Sequence, residues 1–188
     1  MADLKETLKN KIPQWRAEVK ELLQQNADTL VSTITVEQLF KGMRGTQAIV
    51  CDTSYVDPEE GLFIRGFPVL DLIDNRSPEE IFFLLCTGEL PSPKDTQALQ
   101  EELAKRAGVP DYVWKMLQCL PKETDPMTLL SMAMLAMQRD SVFRQRYADG
   151  MSKEKHWEAT LEDALNIIAR LPVISADIYR GRTTREYL

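Results

Sequence analysis

The sequence predicts a mainly α fold with one small antiparallel β hairpin near residues 47–66. Three observations carry the prediction. Apolar residues recur at steps of three and four along most of the chain, helix caps punctuate it repeatedly, and short β-prone runs are confined to that one stretch. Leu4, Leu8, Ile12, Trp15, Val19 and Leu22 form the first apolar stripe, that of an amphipathic helix. Pro13 lacks an amide hydrogen and clashes with the preceding turn, so a break or kink is expected there, with a second helical piece starting near it. This stripe has no obvious local partner, and a second subunit is one candidate cover for it.

Thr35-Val36-Glu37-Gln38 reads as a capping box opening a short helix that ends at Gly42 and Gly45. Ala48-Ile49-Val50-Cys51 and Leu62-Phe63-Ile64 are the two expected strands, joined through the turn-rich Asp57-Pro58-Glu59-Glu60-Gly61. Ser77-Pro78-Glu79-Glu80 combines an N-cap, a proline at the first helical position and a glutamate at the third, and Gly88 ends that helix. Further helices are expected from Ser92-Pro93 to Gly108, between Asp111 and Leu120-Pro121, from Asp125-Pro126 to about Arg139, and around Phe143 to Tyr147. A long one carries Trp157, Leu161, Ala164, Ile167 and Ile168 and should end before Pro172, with a final piece from Val173 to Arg180. The chain stops at Thr183-Thr184-Arg185-Glu186-Tyr187-Leu188 with no closing turn, from which a fragment of a longer protein is expected.

Composition narrows the class. With 188 residues, 44% hydrophobic and 28% charged, the chain suits an ordinary globular protein of one domain or slightly more. A formal net charge of -6 without a basic patch argues against nucleic acid and anionic membrane as partners. Cys51, Cys86 and Cys119 are too few and too far apart for a disulfide framework or zinc site, so a reducing compartment is expected. The acid-containing Met1-Ala2-Asp3-Leu4-Lys5-Glu6 resembles neither a secretory signal nor a transit peptide, and Met127 to Met137 is too short to cross a bilayer. The expectation is a cytoplasmic protein.

Short chemical motifs are missing: there is no G-x-S-x-G, P-loop, G-x-G-x-x-G or metal-spaced His/Cys cluster. The single histidine, His156, lies in a charged stretch and is read as a surface or boundary residue. Met127, Met132, Met134 and Met137 read as core filling, and Cys86 and Cys119, among apolar neighbours, as buried inert thiols. Glu59-Glu60 is a solvated part of a turn. Lys41-Gly42-Met43-Arg44-Gly45 suits anion contact, because glycines admit backbone amides to a phosphate while arginine adds a fork of donors. A helix C-cap with an exposed arginine explains the same residues.

The order of segments resembles the beginning of the citrate synthase family, of the type shared by mitochondria and some bacteria. The likeness runs through Gly42-Met43-Arg44-Gly45, Asp52-Thr53-Ser54, Asp57-Pro58 with Glu60-Gly61, Ile64-Arg65-Gly66 and Leu84-Leu85 with Thr87-Gly88-Glu89-Leu90-Pro91. It continues through Pro126-Met127, Tyr147 with Gly150, Trp157, Leu171-Pro172 and Ile178-Tyr179-Arg180.

This resemblance implies a homodimer of mostly helical subunits, each with a large and a small domain, that condenses acetyl-CoA with oxaloacetate to give citrate and CoA without a metal or a permanently bound cofactor. It makes residues 1–188 the N-terminal part of the large domain, with the small domain and the catalytic segments outside the chain. The family's catalytic aspartate and two histidines, and the arginines that hold carboxylates, fall in segments downstream of anything matched here, so no catalytic residue is carried over. Two basic positions are: Arg44, matching an arginine at the nucleotide end of CoA, and Lys153, where some members place another arginine and lysine loses the bidentate fork. A non-catalytic helical dimerisation or regulatory module and a piece of a 2-methylcitrate synthase are the competing readings.

Overall fold

The computed structural model describes residues 4–47 and 49–184, and they divide into two compact units, Met1–Gln97 and Ala98–Leu188. In the first unit, α1 (Leu4–Asn26) is followed by α2 (Val36–Phe40), then β1 (Ser54–Asp57), β2 (Gly61–Ile64) and β3 (Phe67–Pro68). These strands form one antiparallel sheet in the order β1-β2-β3, with Tyr55 opposite Phe63 and Phe63 opposite Pro68. Next come α3 (Val69–Ile73) and α4 (Pro78–Thr87), and α5 (Pro93–Arg106) leads into the second unit.

Two corrections fall here. α1 runs through Pro13 as one helix rather than two pieces. The proline's own missing N–H leaves one carbonyl without its helical donor, but Leu4 and Leu8 are buried and α1 packs on α4, which holds the helix together across the defect. The expected strand at Ala48-Ile49-Val50-Cys51 does not form: Ile49, Val50 and Cys51 join no strand pair, and Ala48 lies outside the described residues. The strand starts at Ser54, six residues later than expected, because the turn clamps the register from its own end. Asp57 Oδ1 accepts the N–H groups of Glu59 (2.8 Å) and Glu60 (2.9 Å), which fixes Asp57 opposite Gly61 and so pairs Ser54 with Ile64. Those two N–H groups, Glu60's first, hold the Asp57 carboxyl below its usual value.

The capping boxes are formed as expected. Ser77 Oγ accepts the Glu80 N–H at 3.3 Å while Glu80 returns a carboxylate oxygen to the Ser77 N–H at 2.8 Å, and Gly88 closes α4 in the left-handed region at φ 77°. The carbonyls left over at that end are satisfied from a distance. Leu85 O accepts both Nε (3.1 Å) and Nη2 (2.9 Å) of Arg65, and Thr87 O accepts Lys11 Nζ at 2.9 Å. Two cations from other elements thus sit at the negative end of α4, where the dipole favours them.

In the second unit, α6 (Asp111–Gln118), α7 (Pro126–Met137), α8 (Val142–Ala148) and α9 (His156–Thr184) form a helical bundle. Its core joins three of them: Val113 and Leu117 from α6, Leu129, Ala133 and Met137 from α7, and Ile174 and Ile178 from α9. α9 continues through Pro172, so the two pieces expected on either side of that proline are one helix. Burial of Ala169 before it and of Ile174 after it anchors both sides. Asp163 of α9 caps α8 by accepting Ser141 Oγ (2.6 Å) and the N–H groups of Val142 (2.7 Å) and Phe143 (3.1 Å). Arg106 of α5 reaches Glu162 (2.8 Å) and Asn166 (2.8 Å) on the same helix.

Of the four methionines expected in the core, Met137 is buried and Met132 half-buried, but Met127 and Met134 are exposed. α7 turns only the 129–133–137 stripe inward, so Met127 and Met134 fall on its outer side. No helix among the described residues is long and apolar enough to cross a membrane.

Candidate functional site

The loop after α2 is built by its own backbone. Gly42, Met43 and Gly45 all take positive φ (73°, 61° and 76°), so the chain turns back on the helix it has just left. Gln38 holds it there. Its carbonyl accepts the Met43 N–H at 2.8 Å, its side-chain Nε2 donates to Arg44 O at 3.2 Å, and its Oε1 accepts the Thr35 N–H at 2.9 Å. Spacing revealed the Gln38 capping role; it did not reveal that the same amide also reaches Arg44, six residues on. Arg44 itself is exposed, with no ion pair or side-chain hydrogen bond among the described residues. A guanidinium presented in this way, beside two glycines that keep side chains off the backbone, can take an anionic group by its fork of donors.

Lys153 is exposed at the first position of a 3-10 turn, Lys153–Lys155, which follows Ser152 and leads into α9. Beside it, His156 meets Phe143 edge-on at 5.2 Å and lies 5.9 Å from Tyr147, the boundary position expected of it. Arg44 belongs to the first unit and Lys153 to the second.

A concavity of about 330 Å³ opens beside the sheet and is lined by Cys51, Asp52, Tyr55, Phe63 and Arg65 among others. Arg65 Nη1 reaches Asp52 Oδ2 at 3.1 Å, and its guanidinium carbon stands 5.9 Å from the Trp15 ring centroid. Cys51 is exposed, with Thr53 Oγ1 at 3.4 Å from its sulfur. Hydrogen bonding, first from the Thr53 hydroxyl and then from the Ser54 backbone, lowers its thiol to about 7. Burial instead pushes the half-buried Cys86 up. Cys119 is exposed, against the expectation of a buried thiol: it follows the last residue of α6 as its C-cap, outside the stripe that carries Val113 and Leu117 inward. Iodoacetamide should therefore label Cys51 before Cys86, with half its limiting rate near pH 7 and a roughly tenfold fall per unit below that, read by peptide mass spectrometry. Equal labelling of the two across that range would contradict the hydrogen-bonded thiolate. Among the described residues no group of three or more His, Cys, Asp or Glu side chains could hold a metal ion.

Comparison with known proteins places this architecture. Residues 42–188 match the family model described as citrate synthase, C-terminal domain. The chain is 38% identical over 187 residues to citrate synthase 4, mitochondrial, of Arabidopsis thaliana, a match covering 95% of this chain and 40% of the plant protein. The chain thus spans about two fifths of the length of that relative. Among solved structures, citrate synthase from Thermotoga maritima superposes with a TM-score of 0.60 at 22% identity, over 78% of this chain and 36% of that one. Citrate synthase from the archaeon Thermoplasma acidophilum, in ternary complex with carboxymethyl coenzyme A and oxaloacetate, gives 0.62 at 23% identity, over 77% and 36%. These two likenesses speak to fold; the family match over 42–188 and the plant relative place the chain in the citrate synthase family.

Proposed function

We propose that this chain supplies the N-terminal part of the large domain of a citrate synthase, a homodimeric cytoplasmic enzyme that condenses acetyl-CoA with oxaloacetate to give citrate and CoA. The 38% identity maintained over 95% of the chain carries this reading. In it, Arg44 and Lys153 serve the anionic nucleotide end of CoA, no residue of the chain does the carbon chemistry, and the small domain and catalytic segments come from outside residues 1–188. The exposure of both cations supports that division of labour: they can attract and position a phosphate, while proton abstraction and enolate stabilisation need groups in a closed site.

The test is a chimera in which this chain replaces the aligned segment of the Arabidopsis enzyme, assayed by thiol release from acetyl-CoA with oxaloacetate. Turnover by the chimera and none by the chain alone is the expected result; an inactive but folded chimera would sink the reading. In the active chimera, Arg44→Ala should raise the KM for acetyl-CoA about tenfold, the equivalent of ~1.4 kcal/mol of binding, with a much smaller change in kcat. An unchanged KM would remove Arg44 from the CoA site. Propionyl-CoA in the same assay separates citrate from 2-methylcitrate formation. A pull-down of intact synthase by the chain alone, without turnover by the chimera, would favour the regulatory module instead.

A further inference from the structure

Among the described residues, aromatic rings meet in two places: Tyr55 and Phe63 across the sheet, and a cluster in the second unit formed by Phe143, Tyr147 and His156. The cluster is held from both ends of α8. Asp163 fastens the start of α8 to α9. At the other end the Met151 N–H donates to Arg146 O at 3.0 Å, and Gly150 turns the chain at φ 82° into the 3-10 turn. Phe143 and Tyr147, one helical turn apart, stack at 5.8 Å with 15° between their planes. His156 packs against both, edge-on to Phe143. Phe143 and His156 are half-buried, but Tyr147 is 62% exposed. Its ring is thus directed by two neighbours and still open to solvent.

Cations stand beside it. The His156 N–H donates to Lys153 O, and residues three apart in a 3-10 turn eclipse, which puts Lys153 on the same side of the turn as His156. Arg144, three residues before Tyr147 on α8, is its neighbour on the helix surface. Both cations are exposed, and neither has an ion pair among the described residues. Residues 142–157 carry four basic side chains against two acidic ones, in a chain whose net charge is -6. An oriented, open aromatic face between cations suits stacking on a heterocyclic base together with contacts to its phosphates.

We propose that Tyr147 is the surface on which the adenine ring of CoA stacks, with Lys153 and Arg144 taking phosphates of the same nucleotide. The proposal rests on the reading of Lys153 given above and adds to it a residue that recognises the base. Ring and cations together favour a nucleotide over an apolar partner, since the nucleotide end of CoA carries a flat base and phosphates on one ribose.

Acetyl-pantetheine, which lacks the nucleotide, separates recognition from packing. In the chimera, Tyr147→Ala should raise the KM for acetyl-CoA about tenfold with a much smaller change in kcat, and move the KM for acetyl-pantetheine less than about twofold. Tyr147→Phe should keep most of the affinity, because the ring and not the hydroxyl is used. An unchanged KM for acetyl-CoA, or an equal rise for both substrates, overturns the proposal; the second outcome would make Tyr147 a packing residue of α8. Adenosine 3′,5′-bisphosphate titrated into the full chain, with its purine proton resonances followed, gives a readout independent of turnover. An upfield shift lost in Tyr147→Ala and kept in Tyr147→Phe upholds the stacking surface even if the chimera makes no citrate and the enzymatic reading falls. No shift with Tyr147 intact overturns it even if the chimera is active.

Discussion

Replacing Ile174 by alanine will lower the unfolding free energy of the helical unit Ala98–Leu188 by about 3 kcal/mol. Ile174 has no exposed surface and sits where α9 meets α6 and α7, against Val113, Leu117, Leu129 and Ala133. Three separate helices border the space its side chain would vacate, so no single one can move in without losing contacts to the other two. Alanine is the better helix former by a few tenths of a kcal/mol, which offsets little of the cavity cost. The neighbouring Val173 is 39% exposed, and Val173→Ala should cost under ~1 kcal/mol. Urea titration followed by fluorescence of Trp114 and Trp157, both in this unit, after Trp15→Phe, reads the pair of variants cleanly. Equal costs for Ile174→Ala and Val173→Ala would mean that α9 is not docked in this register.

The second large effect is expected at Arg65, where alanine should destabilise the unit Met1–Gln97 by about 3 kcal/mol. Its guanidinium gives two hydrogen bonds to one carbonyl, Leu85 O, which the helix itself cannot serve. Removing it leaves a partly buried acceptor unpaired at the negative end of α4 and takes away the cation facing Trp15. The ion pair with Asp52 adds little, since that carboxylate is 80% exposed. Arg65→Lys should recover less than half of the loss, because a single ammonium cannot fork onto the carbonyl while also reaching Asp52. Trp15 is the only tryptophan of the first unit, and its fluorescence in Trp114→Phe, Trp157→Phe protein reports the transition. Full rescue by lysine would show that charge, not geometry, is what the site uses.

Arg65 also marks the limit of what could be read from sequence. Capping boxes at Thr35 and Ser77 and the glycine stop at Gly88 are local grammar, visible within four residues, and they are present. The basic residues that finish α4 come from positions 11 and 65, and no short window contains them. Prolines misled for a related reason: at Pro13 and Pro172 the local rule favours a break, but tertiary burial, before Pro13 and on both sides of Pro172, holds the helix. Ile49-Val50-Cys51 has strand composition without a strand, because pairing is decided by the Asp57 turn and not by β propensity. Arg44 was legible through the glycines around it, whereas its clamp, Gln38, was already assigned to a cap and gave no second signal. The lowered Cys51 thiol depends on where Thr53 and Ser54 turn their groups, which composition does not encode.

The mounting of α1 has a mechanical consequence. Leu4, Leu8, Lys11 and Trp15 tie its first part to the unit, while every residue from 16 to 26 is exposed. At 1.5 Å per residue, residues 17–26 make an exposed beam of about 15 Å, held through the first part of the helix. Such a cantilever bends most at its tip and unwinds from the tip inward, so a protease will cut first near Gln24-Gln25-Asn26 and a load applied there will be felt at the Trp15 clamp.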